Sequence, residues 1–310
     1  MHAEEGKLAK KLTARMLYIF IALFIVTAHA ETIELPLDGS GLPYDIRWKT
    51  SETHYEDPSI TVDVYYGGRI YETNYTFAVI QLSNASQLRT AMPYRYNSGY
   101  LMAGAKIAQA NNAVFAINGD YYSFKNTGYL VRQGREYRRR VEKLWDVLII
   151  DQNGDFHVLR EPTDESLENW LAKHPELEVI NSFNFGPAYA ENGEWLMDDF
   201  SQALNHNKIA DYRGCARMAI CQLAPLTYLA VACEGETDRG SRGLTLNEFV
   251  DCLKEVDAQL PDYQIQVAYN LDGGRSTTMV FCGEKINSTS ASSSRDIADI
   301  LYFASAWQGE

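Results

Sequence analysis

The segment at residues 269–280, with the sequence YNLDGGRSTTMV, constrains the fold of this chain more than any other. The run before it, residues 264–268, is rich in β-branched and apolar side chains and predicts a half-buried strand. Asp272 then opens a glycine pair, and glycines let a ligand approach the main chain closely. The segment predicts a strand that ends in an acidic turn, a place where binding and catalytic groups commonly collect.

The first 30 residues predict a cleaved secretion signal. Four cations precede the apolar run 16–26, and Ala28 and Ala30 supply small residues around a cleavage point. An uncleaved membrane anchor is the alternative, but the apolar run is shorter than the roughly 20 residues that a spanning helix needs. We therefore expect a secreted, extracytoplasmic protein that begins at Glu31 and has no stable membrane span after signal cleavage.

Charge and length narrow the class of protein further. The formal net charge is −13, and removal of four cations and two anions with the signal leaves about −15. Such an acidic chain is a poor partner for nucleic acid, so we expect none. About 280 mature residues can bury a large core, and no Pro-, Gly- or Ser-rich linker divides them, which predicts a single domain.

The periodicity predicts an α+β fold with mixed, largely antiparallel β-sheet and a few packed helices. A T-x-x-E capping box at Thr245 and Glu248 begins the best-marked helix. Two further helices are expected at residues 98–110 and at 165–173, the latter capped by Asp164. The predicted strands are residues 60–66, 75–82, 113–118, 144–151, 156–159, 218–222, 228–232, 264–268, 278–282 and 297–304.

Cysteine and histidine usage argues against a metal-based chemistry. Five cysteines cannot all pair, and Cys221, Cys233 and Cys282 lie in apolar stretches where a cysteine behaves as a small hydrophobe. The histidines are scattered without zinc-ligand spacing. Carboxylates and carbonyls could hold calcium, although no dedicated ligand spacing points to it. We therefore predict no cofactor and no metal ligand set.

A basic run stands out on this acidic chain. It comprises Arg132, Arg135, Arg138, Arg139, Arg140 and Lys143. We interpret it as a solvated hairpin, with attraction of a polyanionic glycan as the alternative.

Polar residues that could carry chemistry gather at strand ends and glycine turns. They comprise carboxylates (Asp120, Glu234, Asp272), arginines (Arg217, Arg295, Arg275) and side-chain donors (Asn118, Ser241, Ser276). Each segment alone also fits an ordinary turn, a surface arginine or a strand exit. A carboxylate can serve the oxocarbenium-like state of a breaking sugar C1–O bond, and arginine matches phosphate oxygens in pairs. As a set, these groups suit the cleavage of a glycosyl phosphate.

Several ordered motifs over residues 60–304 resemble the phosphodiester glycosidase family. The similar segments are residues 116–122 (AINGDYY), 185–187 (FGP), 216–220 (ARMAI), 241–248 (SRGLTLNE), 270–274 (NLDGG) and the late arginine Arg295. The sequence departs from the family pattern at two places. Arg275 stands where a third glycine is usual, and Glu234 replaces an aspartate.

On the basis of this resemblance and the predicted signal, we divide the chain into a signal peptide (1–30), an N-terminal extension (31–58) and a phosphodiester glycosidase-like catalytic domain (59–310).

The resemblance implies hydrolysis of a carbohydrate phosphodiester, such as an N-acetylglucosamine 1-phosphodiester or one in an exopolysaccharide. Asp272 would serve the anomeric carbon, with Asp120 or Glu234 as its partner. The phosphate would be bound by Arg217 and Arg295, assisted by Arg275, Ser276 and the N–H groups of Gly273 and Gly274. Asn118 and Ser241 would position the substrate.

Two alternatives stay open at this point. One is a non-catalytic protein that binds phosphoglycan or polysaccharide on the same fold, with a site altered by Arg275 and Glu234. The other is a phosphodiesterase that cleaves the P–O bond rather than the C–O bond.

Overall fold

The computed structural model describes residues 31–205, 208, 214–236, 240–288 and 294–309. The predicted signal peptide, residues 1–30, lies outside them. Apart from the chain ends, Met1–Glu31 and Gln308–Glu310, the chain forms one compact unit, Thr32–Trp307. No helix among the described residues has the length and apolarity to cross a membrane.

Strands dominate the described part of the chain. The described residues also include three α-helices: α1 (Gly104–Ala110), α2 (Asp164–Lys173) and α3 (Leu246–Ala258). The strands are β1 (Glu31–Thr32), β2 (Lys49–Ser51), β3 (His54–Asp57), β4 (Ile60–Ile70), β5 (Thr73–Leu82), β6 (Leu88–Ala91), β7 (Ala113–Asn118), β8 (Gly128–Arg132), β9 (Arg135–Arg140), β10 (Val147–Asp151), β11 (Phe156–Leu159), β12 (Val179–Asn184), β13 (Ala188–Glu191), β14 (Glu194–Trp195), β15 (Arg217–Ala224), β16 (Thr227–Cys233), β17 (Val267–Leu271), β18 (Met279–Phe281), β19 (Glu284–Lys285), β20 (Ile300–Ala304) and β21 (Trp307–Gln308).

Two large antiparallel sheets carry the fold. One has the strand order β14-β13-β17-β15-β16-β5-β4-β3-β2, and the other has the order β19-β18-β7-β20-β6. A three-stranded sheet, β11-β10-β12, and the hairpin β8-β9 complete the arrangement within Thr32–Trp307. The α+β, largely antiparallel, single-domain prediction is therefore confirmed.

The main core lies between these sheets. Alternate residues of the long sheet, such as Val62, Ile80 and Ile220, pack with Phe115 and Phe303 of the five-stranded sheet. Helix α3 covers the opposite face of the long sheet and α1 that of the five-stranded sheet. Each helix buries one apolar stripe against the outer face of its sheet. The inner faces of the two sheets form the main core between them.

Helix α3 begins where the capping box predicts. The Thr245 hydroxyl accepts the N–H of Glu248, and the Glu248 carboxylate accepts the N–H of Thr245 at 2.9 Å. Helix α2 is capped by Thr163 instead of Asp164, since the Thr163 and Ser166 side chains bond each other's backbone N–H. A threonine in extended backbone before the first turn fills the capping position, and Asp164 becomes the first helical residue.

Helix α1 is shorter than predicted, and residues 98–103 are not part of it. Asn97 and Gly99 have positive φ angles, which a right-handed helix cannot include. The backbone N–H of Met102 then donates to Ile297 and its carbonyl accepts from Ile297, so these groups serve a strand-like bridge.

Several strand boundaries also differ from the prediction. The strand predicted at 264–268 is β17, Val267–Leu271, and the one predicted at 144–151 begins at Val147. The strand predicted at 297–304 begins at Ile300. Cys221 and Cys233 are buried as expected, whereas Cys282 is only half-buried.

Strand register brings four strand ends together. Met218 of β15 lies opposite Leu271 of β17, so Arg217 and Asp272 are neighbours across this pair. In the other large sheet, Asn118 at the end of β7 lies opposite Ile300 of β20. A hydrogen bond of 3.3 Å from the Asp272 N–H to the Gly119 carbonyl joins the two sheets at this point.

Candidate active site

Asp272 follows directly on β17, at the strand end that the sequence predicts. The turn after it is tight, because a Cβ atom on Gly273 would lie 2.7 Å from the carbonyl oxygen of Ala216. Gly274 has a φ of +58°, a left-handed conformation that favours glycine. Its N–H donates to the Ala216 carbonyl at 2.7 Å, so this group, which we predicted to bind substrate, is used within the protein.

The Asp272 carboxylate is paired with Arg295. Nη2 of Arg295 lies 3.1 Å from Oδ2 of Asp272, and Nε of Arg295 donates to the Ser276 hydroxyl at 2.7 Å. Ser276 also hydrogen-bonds Asp272. Burial raises the pKa of Asp272, whereas Ser276, Arg295 and the charge of Lys125 oppose the rise. The carboxylate is thus buried beside a cation and holds protons more tightly than an ordinary aspartate.

Asn118 fixes the backbone beneath Asp272. Its Nδ2 donates to the carbonyls of Asp272 at 2.7 Å and Gly119 at 3.0 Å, and its Oδ1 accepts the N–H of Thr278 at 3.0 Å. The side chain is buried. Both of its N–H groups are used within the protein, so Asn118 shapes the turn. It also lines a small recess together with Asp272.

Asp120 belongs to a buried charge cluster that we define as Asp120, Arg132 and Asp299. Nη2 of Arg132 lies 3.0 Å from Oδ1 of Asp120 and 2.6 Å from Oδ2 of Asp299. The second oxygen of Asp120 accepts the N–H of Asn184 at 2.6 Å. Burial raises the pKa of Asp299 to about 6, against the opposing effect of Arg132. Both Asp120 oxygens are therefore engaged inside the protein.

This cluster corrects one interpretation of the sequence. We expected Arg132 to belong to a solvated basic hairpin, and β8-β9 is that hairpin. Arg135, Arg139 and Arg140 are exposed, but Arg132 is buried between two carboxylates. Arg132 is the last residue of β8, and its buried guanidinium requires paired charges, which Asp120 and Asp299 supply.

A cavity of about 460 Å³ opens in front of Asp272. Its charged lining residues are Lys125, Lys208, Arg217, Asp272 and Arg295, and its aromatic ones are Tyr121, Phe124, Trp145 and Phe185. The remaining lining residues include Asn270, Gly273 and Gly274. Its described lining thus combines the Asp272 carboxylate with several cations and an aromatic wall.

Arg217, Gly273, Gly274 and Arg295 are the predicted substrate-binding residues that lie in this cavity with Asp272. The Arg217 side chain is buried, and its Nε donates to the Leu244 carbonyl at 2.7 Å. Arg275 is exposed, and its carbonyl accepts the N–H of Arg295 at 3.0 Å. Arg275 and Ser276 are not among the described residues that line the cavity, although Ser276 contacts both Asp272 and Arg295.

Glu234 and Ser241 lie apart from the described lining of that cavity. Oε2 of Glu234 accepts from the Ser241 hydroxyl at 2.6 Å and from Nδ2 of Asn74 at 3.0 Å. Glu234 lines a separate cavity of about 260 Å³ with Tyr66, Asn74 and residues 286–288. The structure therefore brings together Asp272, Arg217 and Arg295, and it places Glu234 and Ser241 with Asn74.

Sequence reasoning missed Lys125, Phe124 and Trp145 among the residues that line the cavity. Lys125 follows the short helical turn Tyr122–Phe124, and nothing in a single lysine within a polar loop distinguishes it from a solvated one. Tyr121 belongs to one of the family-like motifs, but its backbone conformation was not predicted. Its φ of +66° is a strained conformation for a tyrosine. Strain of this kind gathers at functional sites, but it cannot be read from residue types.

The Tyr121 ring contacts both Phe124 and Arg295. Its ring lies 4.1 Å from that of Phe124 at an angle of 13°, and the Arg295 guanidinium lies 4.9 Å from the Tyr121 centroid. Phe124 is 55% exposed. An exposed ring at the mouth of a polar cavity gives a flat apolar surface for a ligand.

Metal binding gains no structural support within the described residues. No group of three or more histidine, cysteine, aspartate or glutamate side chains is arranged there to hold a metal ion. The predicted absence of a cofactor stays a prediction.

Strand ends of this antiparallel α+β fold place a buried carboxylate beside arginines, an arrangement that resembles an enzyme active site. The family model described as phosphodiester glycosidase matches residues 111–304. The match covers more than half of the sequence, so the chain belongs to the phosphodiester glycosidase family, a family of hydrolases. This confirms the resemblance that the motifs suggested. A search of curated proteins finds no match.

The fold also occurs in solved structures of other proteins. The catalytic domain of zebrafish N-acetylglucosamine-1-phosphodiester alpha-N-acetylglucosaminidase, auto-inhibited by its pro-peptide, is similar with a TM-score of 0.62 and 16% identity. The similarity covers 89% of this chain and 99% of that one. A hypothetical protein from Synechocystis is similar with a TM-score of 0.51 and 13% identity, over 79% of this chain and 62% of that one.

Proposed function

We propose that this protein is a secreted glycosidase that hydrolyses the C1–O bond of a sugar 1-phosphodiester. The products would be the free sugar and a phosphomonoester. The observation that carries the proposal is the cavity of about 460 Å³ in which Asp272 lies beside Arg295 and shares the lining with Arg217. A glycosyl phosphate needs a carboxylate at its anomeric carbon and cations at its phosphate, and this cavity offers both.

Asp272 would act at the anomeric carbon. The C1–O bond breaks with its electron pair on the phosphate oxygen, and the carboxylate stabilises the positive charge that develops on the sugar. Water then supplies the oxygen that bonds to C1, and its proton passes to a base. A carboxylate whose pKa is raised by burial is suited to accept that proton.

Arg217 and Arg295 would bind the phosphate. The guanidinium of Arg217 is held by the Leu244 carbonyl, and that of Arg295 by Ser276 and Asp272. Such preorganised cations stabilise the charge that forms on a departing phosphate without reorganising during the reaction. Asp120 would position this site from the buried charge cluster, because its oxygens are bonded to Arg132 and Asn184.

The sugar would lie against the aromatic wall. Phe124 and Tyr121 offer stacked rings at the cavity mouth, and Trp145 and Phe185 lie in the same lining. Aromatic faces bind the apolar face of a sugar ring, and N-acetylglucosamine is the first sugar to test, in view of the zebrafish structure. The predicted signal at residues 1–30 supports action outside the cytoplasm.

The test is release of free sugar from an N-acetylglucosamine 1-phosphodiester such as UDP-N-acetylglucosamine. The purified protein should release the sugar, Asp272→Asn should release none above background, and the exposed Asp262→Asn should match the parent. Hydrolysis in oxygen-18 water should place the label in the sugar. Label in the phosphate would show P–O cleavage instead. Saturable binding of phosphoglycan with no turnover of any sugar phosphodiester would favour a binding protein.

A further inference from the structure

Lys125 lies in the cavity wall with its ammonium group turned to main-chain carbonyls and aromatic rings. Nζ donates to the Asp120 carbonyl at 3.4 Å and to the Asn184 carbonyl. It lies 3.9 Å from the Trp145 ring centroid and 4.8 Å from that of Phe185. Within the described part of the chain, Lys125 forms no ion pair with a carboxylate, although Asp120 and Asp272 act on it through their charges.

The fold holds Lys125 in this position through Arg138. The Arg138 guanidinium donates to the carbonyls of Lys125 at 2.5 Å, Gly128 at 3.3 Å and Tyr122 at 3.4 Å. These bonds fasten the turn Tyr122–Phe124 and the residue after it to strand β9. The Lys125 backbone is fixed in this way and its amine lies among rings and carbonyls. It is therefore poorly placed to serve only as a solvent-exposed surface charge.

A lysine ammonium has three N–H donors, and the described carbonyl partners account for two of them. One donor is left for a group in the cavity. The described lining of the cavity also includes Arg217, Arg295 and Lys208, so an anion would meet four cations there.

We propose that Lys125 binds the phosphate of the substrate and donates its remaining N–H to the oxygen that leaves C1. This rests on the proposed function and adds a residue that the sequence motifs did not include. As the C1–O bond breaks, the electron pair stays on that oxygen, and the ammonium stabilises the new charge. Water provides the hydroxyl group of the free sugar, so no other reactant is needed.

The charges around Lys125 link this binding to protons. Burial lowers the pKa of Lys125 to about 8, Asp120, Asp272 and Glu142 oppose the fall, and Arg138 adds to it. The cations Arg217, Arg295 and Lys208 share the cavity. A lysine with that pKa is half-neutral near pH 8, and a bound phosphate dianion favours the charged form. Phosphate binding at pH 8 should therefore take up about half a proton per site.

Calorimetry with inorganic phosphate tests this without any catalysis. Titrations of the purified protein at pH 8, in two buffers with different ionisation enthalpies, should show the proton uptake. Lys125→Met should lose it, and Lys125→Arg should bind phosphate without it. The exposed Lys143→Met should behave as the parent. No phosphate binding by the parent, or equal uptake in folded Lys125→Met, would overturn the proposal.

Activity measurements separate this inference from the proposed function. If the parent releases sugar, Lys125→Met should lower kcat by about 10²–10³-fold, the usual effect of removing one donor to a developing charge. Activity of the parent should fall above pH 8 as Lys125 loses its proton, and Lys125→Arg should not show this fall. Sugar release with an unchanged kcat and pH profile in Lys125→Met would contradict the role of Lys125 and leave the glycosidase proposal intact. Proton-linked phosphate binding without sugar release would contradict the glycosidase proposal and leave phosphate binding by Lys125 intact.

Discussion

Nη2 of Arg295 lies 3.1 Å from Oδ2 of Asp272. The pair is formed at the edge of the cavity, where the Arg295 side chain is 39% exposed and that of Asp272 only 13%. One partner can therefore meet an incoming phosphate while the other stays in its buried position. A phosphate that binds Arg295 would compete with the carboxylate for the same guanidinium.

Removal of Arg295 should shift the pH dependence of the reaction. Burial raises the pKa of Asp272 and Arg295 opposes that rise, so Arg295→Met should raise the pKa further. If the ionised carboxylate is the active form, activity is present above this pKa and lost as pH falls through it. The acid limb of kcat/KM for sugar release should move to higher pH. The exposed Arg47→Met is the control, and an acid limb unchanged in Arg295→Met would contradict the expectation.

Removal of Arg132 should destabilise the fold severely. Arg132→Met would leave the buried carboxylates of Asp120 and Asp299 without their shared cation. We expect a loss of about 3–5 kcal/mol in the free energy of unfolding, measured by denaturant titration. Arg140→Met, on the exposed part of the same hairpin, should stay within about 0.5 kcal/mol of the parent. Similar losses in both variants would refute a special role for the buried charge cluster.

Gly119→Ala should disturb both stability and activity. A Cβ atom there would lie 2.1 Å from Oδ1 of Asp299, and this carboxylate is held by Arg132. We expect a loss of about 1–3 kcal/mol in the free energy of unfolding, typical of overpacking, together with slower sugar release. Gly39→Ala is the matched control, since its nearest contact would be an ordinary 3.6 Å. A neutral result for Gly119→Ala, measured by thermal and denaturant unfolding, would show that Asp299 can move away.

Asp299 should make stability depend on pH in a defined window. Its pKa in the folded protein is raised to about 6 from an ordinary 3.8, so the folded state binds this proton more tightly than the unfolded state. The stabilisation is fully present below pH 3.8 and is lost as pH rises through about 6. The difference in unfolding free energy between the parent and Asp299→Asn should therefore change across this window and level off above it. A constant difference from pH 4 to pH 7 would contradict the raised pKa.

Local signals in the sequence predicted much of the fold. Strands β7 and β11 have the predicted bounds, and Thr245 and Glu248 begin α3 as their spacing indicates. Asp272 directly follows β17, where a glycine pair lets the chain turn. These features depend on neighbours a few residues away, which the sequence displays directly.

The contacts that complete the site could not be predicted in this way. Arg132 and Asp299 are separated by 167 residues, and nothing near either residue shows that they meet. Lys125 likewise depends on Trp145 and on the Asn184 carbonyl, both distant in sequence. Glu234 and Asp272 both stand at positions of the family pattern. Glu234, however, hydrogen-bonds Asn74 and Ser241 just after the end of β16. Burial and partner choice were decided by tertiary packing.

The peptide unit that follows Asn118 has a role beyond turn geometry. The Gly119 N–H donates to the Asp299 carbonyl at 3.1 Å, and the Gly119 carbonyl accepts the N–H of Asp272 at 3.3 Å. A single residue without a side chain therefore joins the backbone of Asp299, in the buried charge cluster, to the backbone of Asp272, the proposed catalytic carboxylate. In the proposed mechanism, substitutions in the buried charge cluster would shift the Asp272 backbone through these two bonds, so the reaction rate could be adjusted through residues that never touch the substrate.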